Sequence, residues 1–344
     1  MKAYPVASSK GFIKLDAMEN PYELDPALRA ALAQRLAALS LNRYPVPSYE
    51  PLKAIIADKL GIPAGYPVVV GNGSDELIGM LGLAVAGSGR PILAPLPSFV
   101  MYEMGAKLAR CRFVEVALRP DFSLDGQALL AAIEREQPAL TYLAYPNNPT
   151  GNAYDDALIE QVLRASPGLV VLDEAYQPFA QRTWMPRLAE FGNLVVMRTV
   201  SKIGLAGVRI GYLSAAPAIA IELEKVRPPY NISVLDEAAA VFALEHHDAL
   251  QAQASQLRAD RGPLAQALAA MPGVTVFPSQ TNFVLARFAD GDAVHAALRE
   301  RRILVRNVGT MHPLLADCLR ISVGTPDENR ALLAALTDIL AAAA

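Results

Sequence analysis

Short runs of consecutive apolar residues recur along the first two thirds of the chain, near 67–70, 90–94, 112–116, 139–144, 168–172, 193–197 and 208–214. Runs of this length without polar alternation predict strands buried on both faces, as in a mostly parallel sheet with helices on either side. Between them, apolar positions recur at helical spacing. A helix is predicted from Asp25, whose carboxylate caps it ahead of Pro26, to about Ala38. Another is predicted over 49–60, closed by Gly61, and others over 125–135 and 154–165. Gly71-Asn-Gly73 breaks the first strand sharply, with Ser74 expected to cap a helix from about Asp75, and Pro97 to Tyr102 opens a further helix. Leu15 to Tyr22 reads as an extended segment ending in a turn at Asn20-Pro21. This alternation defines an α/β domain.

The rhythm then changes. Helices are predicted over 216–226, 233–246 and 249–270, and Pro272-Gly273 marks a break. Strands follow near 274–277 and 281–286, a helix over 291–300, strands near 303–305 and 318–323, and a terminal helix over 327–342. That pattern reads as a smaller α+β domain. The expected partition is residues 1–40 as an N-terminal arm and part of the small domain, 41–245 as the large domain and 246–344 as the small C-terminal domain.

Composition narrows the class. With 53% hydrophobic and 19% charged residues, the chain of 344 can bury a large core. A net charge of −3 offers no field for nucleic acid or an anionic membrane, so neither is expected as a partner. Cys111 and Cys318 lie inside apolar runs, which predicts reduced thiols and a cytoplasmic location. Met1 to Lys10 lacks the apolar core of a secretion leader, and no uninterrupted apolar run reaches the roughly 20 residues of a membrane span. A soluble protein is expected. His246, His247, His295 and His312 lack metal-type spacing, so no metal site is predicted.

The candidate chemistry centres on Arg198 to Gly211, which follows the apolar run Leu194 to Met197. Thr199 and Ser201 bring hydroxyls, Lys202 an amine and Arg209 a guanidinium. Hydroxyls and a guanidinium hold a phosphate, while a sheltered lysine of lowered pKa attacks a carbonyl. A lysine Schiff base beside a phosphate grip is the protein's share of pyridoxal 5′-phosphate chemistry. Upstream, Gly71 to Asp75 presents backbone N–H groups to an anion at a helix start. Two further strands end in polar groups: Tyr145-Pro-Asn-Asn-Pro-Thr-Gly151 and Asp173-Glu-Ala-Tyr176. An acid at the mouth of an apolar strand needs a cationic partner, and a pyridinium nitrogen is one. Taken singly, Asp173 reads equally well as a helix cap, and Asn147-Asn148 as a turn. Acid, lysine and arginine at the ends of successive strands make one coherent site.

At these residues the chain resembles the fold-type I pyridoxal-phosphate-dependent aminotransferases, the class that includes histidinol-phosphate aminotransferase. The likeness runs through Glu19-Asn-Pro21, Arg43-Tyr-Pro45, Gly71 to Ile78, Pro97 to Tyr102, Asn147 to Gly151, Asp173 to Tyr176, Thr199 to Arg209, Pro229 to Asn231, Thr281 to Phe283 and Leu319 to Ile321. It implies that Lys202 carries the cofactor and then moves protons, and that Asp173 pairs with the pyridine nitrogen. Asn148 and Tyr176 would contact the phenolic oxygen, and Tyr102 would stack on the ring. Ser74, Asp75, Glu76, Thr199, Ser201 and Arg209 would surround the phosphate. The resemblance further implies a homodimer in which Tyr44 reaches the partner subunit's cofactor. Substrate recognition would fall to Arg320 and Arg306, with Asn20 and Tyr22 from the N-terminal arm. The implied reaction is transamination of L-histidinol phosphate with 2-oxoglutarate, giving imidazole-acetol phosphate and glutamate, in histidine biosynthesis. The alternatives are an aromatic-amino-acid aminotransferase and a lyase resembling threonine-phosphate decarboxylase.

Overall fold

The computed structural model describes residues 8–343, so the expectation for the N-terminal end lies, over its first seven residues, outside the described part. The apolar runs become a seven-stranded sheet: β2 (Val68–Asn72), β3 (Ile92–Leu96), β4 (Phe113–Ala117), β5 (Leu140–Ala144), β6 (Leu169–Asp173), β7 (Leu194–Thr199) and β8 (Ile210–Ala215), in the order β2-β8-β7-β6-β5-β3-β4. β8 runs antiparallel to both β2 and β7, and the other pairings are parallel. Its reversed direction brings the start of β8 to the edge where β5, β6 and β7 end.

Helices α2 (Glu50–Leu60), α3 (Gly73–Val85), α4 (Met101–Leu108), α5 (Gly126–Glu136), α6 (Asp156–Ala165), the short α7 (Gln177–Ala180), α8 (Pro217–Val226) and α9 (Val234–Glu245) cover this sheet; α1 (Pro26–Ala37) precedes them and packs on α9. Local chemistry sets their starts. Asp25, Asp125 and Asp155 each accept from a backbone N–H in the first turn, at 2.8, 3.0 and 2.6 Å. Gly61, at φ 72, ends α2 in the left-handed conformation that glycine adopts without strain. One expectation is corrected here. Ser74 does not cap α3; the helix starts at Gly73, and Glu76 reaches back to accept from Asn72 N at 2.6 Å.

The second sheet has the order β1-β11-β12-β10-β9, formed by β1 (Ile13–Leu15), β9 (Thr275–Val276), β10 (Phe283–Arg287), β11 (Ile303–Asn307) and β12 (Cys318–Ser322). It is antiparallel except where β1 joins β11. Helices α10 (His247–Ala269), α11 (Gly291–Glu300) and α12 (Pro326–Ala343) accompany it, and its apolar face forms a core of its own around Phe283, Ile321, Leu332 and Leu336. β1 is not predicted from the sequence, and only its last residue, Leu15, falls in the segment read as extended: three residues carry too little pattern to announce a pairing with a strand far along the sequence.

Candidate active site

The two sheets meet where β5, β6 and β7 end. Asp173 is the last residue of β6 and Thr199 the last of β7, and Asn148 follows β5. Arg209 immediately precedes β8, held at φ 55, a conformation that non-glycine residues adopt mainly where the surrounding structure enforces it. One cavity is lined by Ser74, Asp75, Tyr102, Asn148, Asp173, Tyr176, Thr199, Ser201, Lys202 and Arg209, together with Met18 and Phe99. Ten residues singled out in the sequence thus come together from five stretches of chain.

At one end lies the N-terminus of α3. Arg209 Nη2 approaches Asp75 Oδ2 at 3.2 Å, and its Nη1 lies 3.5 Å from Ser201 Oγ. Thr199 and Ser201 share a 2.9 Å hydroxyl bond. The guanidinium fits because Gly73 has no side chain: a Cβ there would lie 2.6 Å from Arg209 Nη2. Gly211 has the same function for the backbone, since its Cβ would meet Ser74 N at 2.6 Å. The result is a cradle of N–H groups, hydroxyls and one guanidinium at the positive end of a helix.

At the other end Asp173 is buried. Tyr102 donates to its Oδ2 at 2.7 Å, and Ala175 N donates to its Oδ1 at 3.1 Å. Neither partner is a cation. Burial lifts the Asp173 carboxyl to about 6, against the opposing pull of those two hydrogen bonds. Tyr102 itself stacks on Tyr142, with centroids 4.4 Å apart and planes 5° from parallel. Between the two ends sits Lys202, whose amine is lowered to about 8, first by burial and then by the charge of Arg320. Its Nζ donates to Ala17 O at 3.4 Å and lies 6.0 Å from the Tyr176 ring centroid.

The remaining expected residues sit elsewhere. Glu76 turns away from the cavity, holding Asn72 N and Asn231 Nδ2 at 2.6 Å each. Arg320 stands directly behind the wall, donating to Asn148 Oδ1 at 2.6 Å and to Asp16 O at 2.8 Å. Arg306 is its cross-strand neighbour. Asn20 does not line the cavity: its amide donates to Ile203 O and Gln253 Oε1, bracing the turn that carries Lys202. Tyr22 faces Asp260 and Glu328. Tyr44 is 81% exposed and stacks on Tyr230 at 4.6 Å.

Sequence reasoning missed Met18, whose Sδ accepts from Tyr176 Oη at 3.5 Å, and the carbonyls of Asp16 and Ala17. Nothing in the sequence marks a methionine in an extended segment or a backbone carbonyl as part of a site. Tyr142 was hidden differently, inside a strand whose residues all read as core.

The aminotransferase class I and II family model matches residues 10–336. A histidinol-phosphate aminotransferase 1 from Burkholderia lata is 58% identical, over 98% of this chain and 94% of that protein. A histidinol-phosphate aminotransferase 2 from Cupriavidus pinatubonensis is 57% identical over 97% and 93%. Among solved structures, the histidinol-phosphate aminotransferase of Sinorhizobium meliloti in complex with pyridoxal-5′-phosphate is similar with a TM-score of 0.88 at 29% identity, over 99% of this chain and 96% of that one. The chain belongs to the class I and II aminotransferases, within the group of histidinol-phosphate aminotransferases, and has their fold-type I architecture.

Proposed function

We propose that this chain is a pyridoxal-phosphate-dependent aminotransferase that exchanges the amino group of L-histidinol phosphate with 2-oxoglutarate, forming imidazole-acetol phosphate and glutamate in histidine biosynthesis. The observation that carries this reading is the single cavity shared by a buried carboxylate, an amine of lowered pKa and an anion cradle. The residues fit pyridoxal phosphate on their own terms. Among the described residues, the buried Asp173 has no cationic hydrogen-bond partner, as a carboxylate facing a pyridinium nitrogen requires. The cradle exists only because Gly73 and Gly211 leave room for it.

Bound there, pyridoxal phosphate supplies an electron-withdrawing ring and a carbonyl that carries the amino group from donor to acceptor. The protein's own work is divided among few groups. Ser74, Asp75, Thr199, Ser201 and Arg209 hold the phosphate, Asp75 chiefly by orienting Arg209; Glu76 supports the helix start. Asp173 keeps the ring nitrogen charged, with Tyr102 beside it. Asn148 and Tyr176 donate to the phenolic oxygen. Lys202, as a neutral amine, would hold the cofactor at its carbonyl carbon and would serve as the base and acid for the proton at the donor's Cα. Arg320, with Arg306, meets the substrate's anionic group, while Asn20 and Tyr22 fix the arm beside it.

The same reading divides the chain into an arm with part of the small domain (1–40), a large domain (41–245) and a small domain (246–344). It makes the active unit a homodimer in the cytoplasm, Tyr44 crossing to the partner's phosphate. The exposure of Tyr44 and of Leu41 and Val46 in the same loop supports that assembly. Among the described residues no helix is long and apolar enough to cross a membrane.

The test is to compare amino donors with 2-oxoglutarate as acceptor. Histidinol phosphate is expected to exceed phenylalanine and tyrosine in kcat/KM by about a hundredfold or more, the scale of a buried ionic contact left unmade. Equal use of the aromatic donors would refute the assignment, as would release of carbon dioxide from threonine phosphate.

A further inference from the structure

Successive side chains on a strand point to opposite faces, and the ends of β6 and β7 use both. Asp173 and Thr199 face the cavity; their neighbours Glu174 and Arg198 face the other way, into the core beneath the sheet. Glu174 has no exposed surface and Arg198 is 5% exposed. Glu174 Oε2 accepts from Arg198 Nε at 2.9 Å and from Thr183 Oγ1 at 2.8 Å, and Oε1 accepts from Trp184 N at 2.6 Å. Arg198 in turn donates to Leu60 O, the last residue of α2, at 2.9 Å, and also to Thr183 Oγ1. Glu174 N meets Met197 O at 2.8 Å, so the backbone is tied at the same level.

We propose that Glu174 and Arg198 form a positioning pair, clamping the ends of β6 and β7 from behind and thereby setting the place and charge of Asp173. The proposal rests on the reading of Asp173 as the group that faces the cofactor. A buried ion pair is a poor way to gain stability, since apolar residues of similar volume do as well or better. What it does provide is fixed geometry, through a carboxylate and a guanidinium each held by several partners, and a cancelled charge one residue from a functional acid. Without Arg198, the Glu174 carboxylate would repel the Asp173 carboxylate through the sheet. The charged and titratable groups around Asp173 are Tyr102 from α4, Tyr142 from β5, Asp75 from α3, Glu174 immediately after β6, and Lys202, which lines the same cavity. Among the acids, Glu174 and Asp75 both push its carboxyl upward.

The test titrates cofactor-free protein with pyridoxal phosphate across the pH range around 6, following absorbance, for wild type, Glu174→Gln and Glu174→Gln/Arg198→Met. Circular dichroism and melting report folding separately. The shift relative to wild type is read, so the cofactor's own phosphate titration cancels. In Glu174→Gln the pH midpoint of cofactor affinity is expected to fall by about half a unit or more, as the Arg198 guanidinium is left uncancelled behind Asp173. In the double variant, which leaves no buried charge unpaired, the midpoint returns toward wild type while the Kd is weakened roughly tenfold through lost positioning. A folded Glu174→Gln protein with wild-type affinity at every pH would make the pair purely structural and overturn the proposal. Should Glu174→Gln fail to fold, a double variant with wild-type Kd overturns it equally. Wild-type protein that takes up no pyridoxal phosphate would instead sink the underlying reading of the site, and the proposal with it.

Discussion

Arg320 and Asn148, 172 positions apart, are joined by a 2.6 Å bond from Nη1 to Oδ1. A guanidinium has only donors, so it fixes which end of the amide it meets. The oxygen of Asn148 is taken, and its NH2 group remains as the donor. Arg320 also holds Asp16 O and helps depress the Lys202 amine. A residue read in the sequence as a substrate contact is thus tied to both sides of the cavity.

The first prediction concerns Lys202 through Arg320. Cofactor capture needs the neutral amine, so its rate in cofactor-free protein should rise with pH through about 8. In Arg320→Ala the repulsion is gone, the amine's pKa moves back toward that of an ordinary lysine, and the midpoint of this profile should move up. The substrate's KM should rise as well. A higher KM with an unmoved capture profile would confine Arg320 to the substrate.

Asp173 sets function against stability. Its carboxyl titrates near 3.8 when unfolded and about 6 when folded, so between those values the folded protein binds more protons and loses stability as pH rises. At neutral pH the cofactor-free protein therefore carries a penalty of about 3 kcal/mol from this group. Asp173→Asn should match or exceed wild type in Tm without cofactor, while transamination falls by about two orders of magnitude or more. Melting both proteins near pH 4 and pH 7.5 checks the sign: the advantage of the variant should shrink at the lower pH.

Tyr102→Phe probes the same carboxylate more gently. Losing the 2.7 Å hydroxyl bond removes an interaction that favours the ionised form. The acid limb of cofactor binding should move to higher pH, with the fold intact, since the ring still stacks on Tyr142. A limb that stays in place would mean the hydroxyl has no hold on Asp173.

Much of this site is legible because its residues fall at strand ends, and strand ends are what short apolar runs announce. Leu169 to Leu172 is continuous and apolar, so Asp173 stands out at its mouth; Leu194 to Met197 exposes Thr199, Ser201 and Lys202 in the same way. Caps are equally local, and Asp25, Asp125 and Asp155 start their helices as residue chemistry dictates. What escapes is decided at long range. Glu174 and Arg198 look like parts of two motifs until the sheet sets β6 beside β7. Met18 enters the cavity only because Ser322 and Asn282 hold its backbone at 2.8 and 2.9 Å. Ser74 misled for a local reason, since the left-handed Gly73 lets α3 begin earlier than a hydroxyl cap would place it.

The proposed dimer makes a sharp prediction. Tyr44→Ala and Lys202→Ala proteins should each be impaired, Lys202→Ala completely. Mixed and allowed to exchange subunits, they should regain activity, because a heterodimer has one cavity with Lys202 intact and Tyr44 supplied by its partner. Random exchange gives about a quarter of the sites this composition. No gain after demonstrated exchange would leave Tyr44 outside the site.

The central claim is that Lys202, Asp173 and the cradle around Arg209 perform amino transfer on histidinol phosphate. The most direct measurement is a single half-reaction on cofactor-loaded protein, adding histidinol phosphate without acceptor and following the bound cofactor's near-visible band. The account predicts rapid loss of the pyridoxal form, its return on adding 2-oxoglutarate, and neither change in Lys202→Ala. An unaltered spectrum in the wild-type protein, or the same conversion in Lys202→Ala, would contradict it.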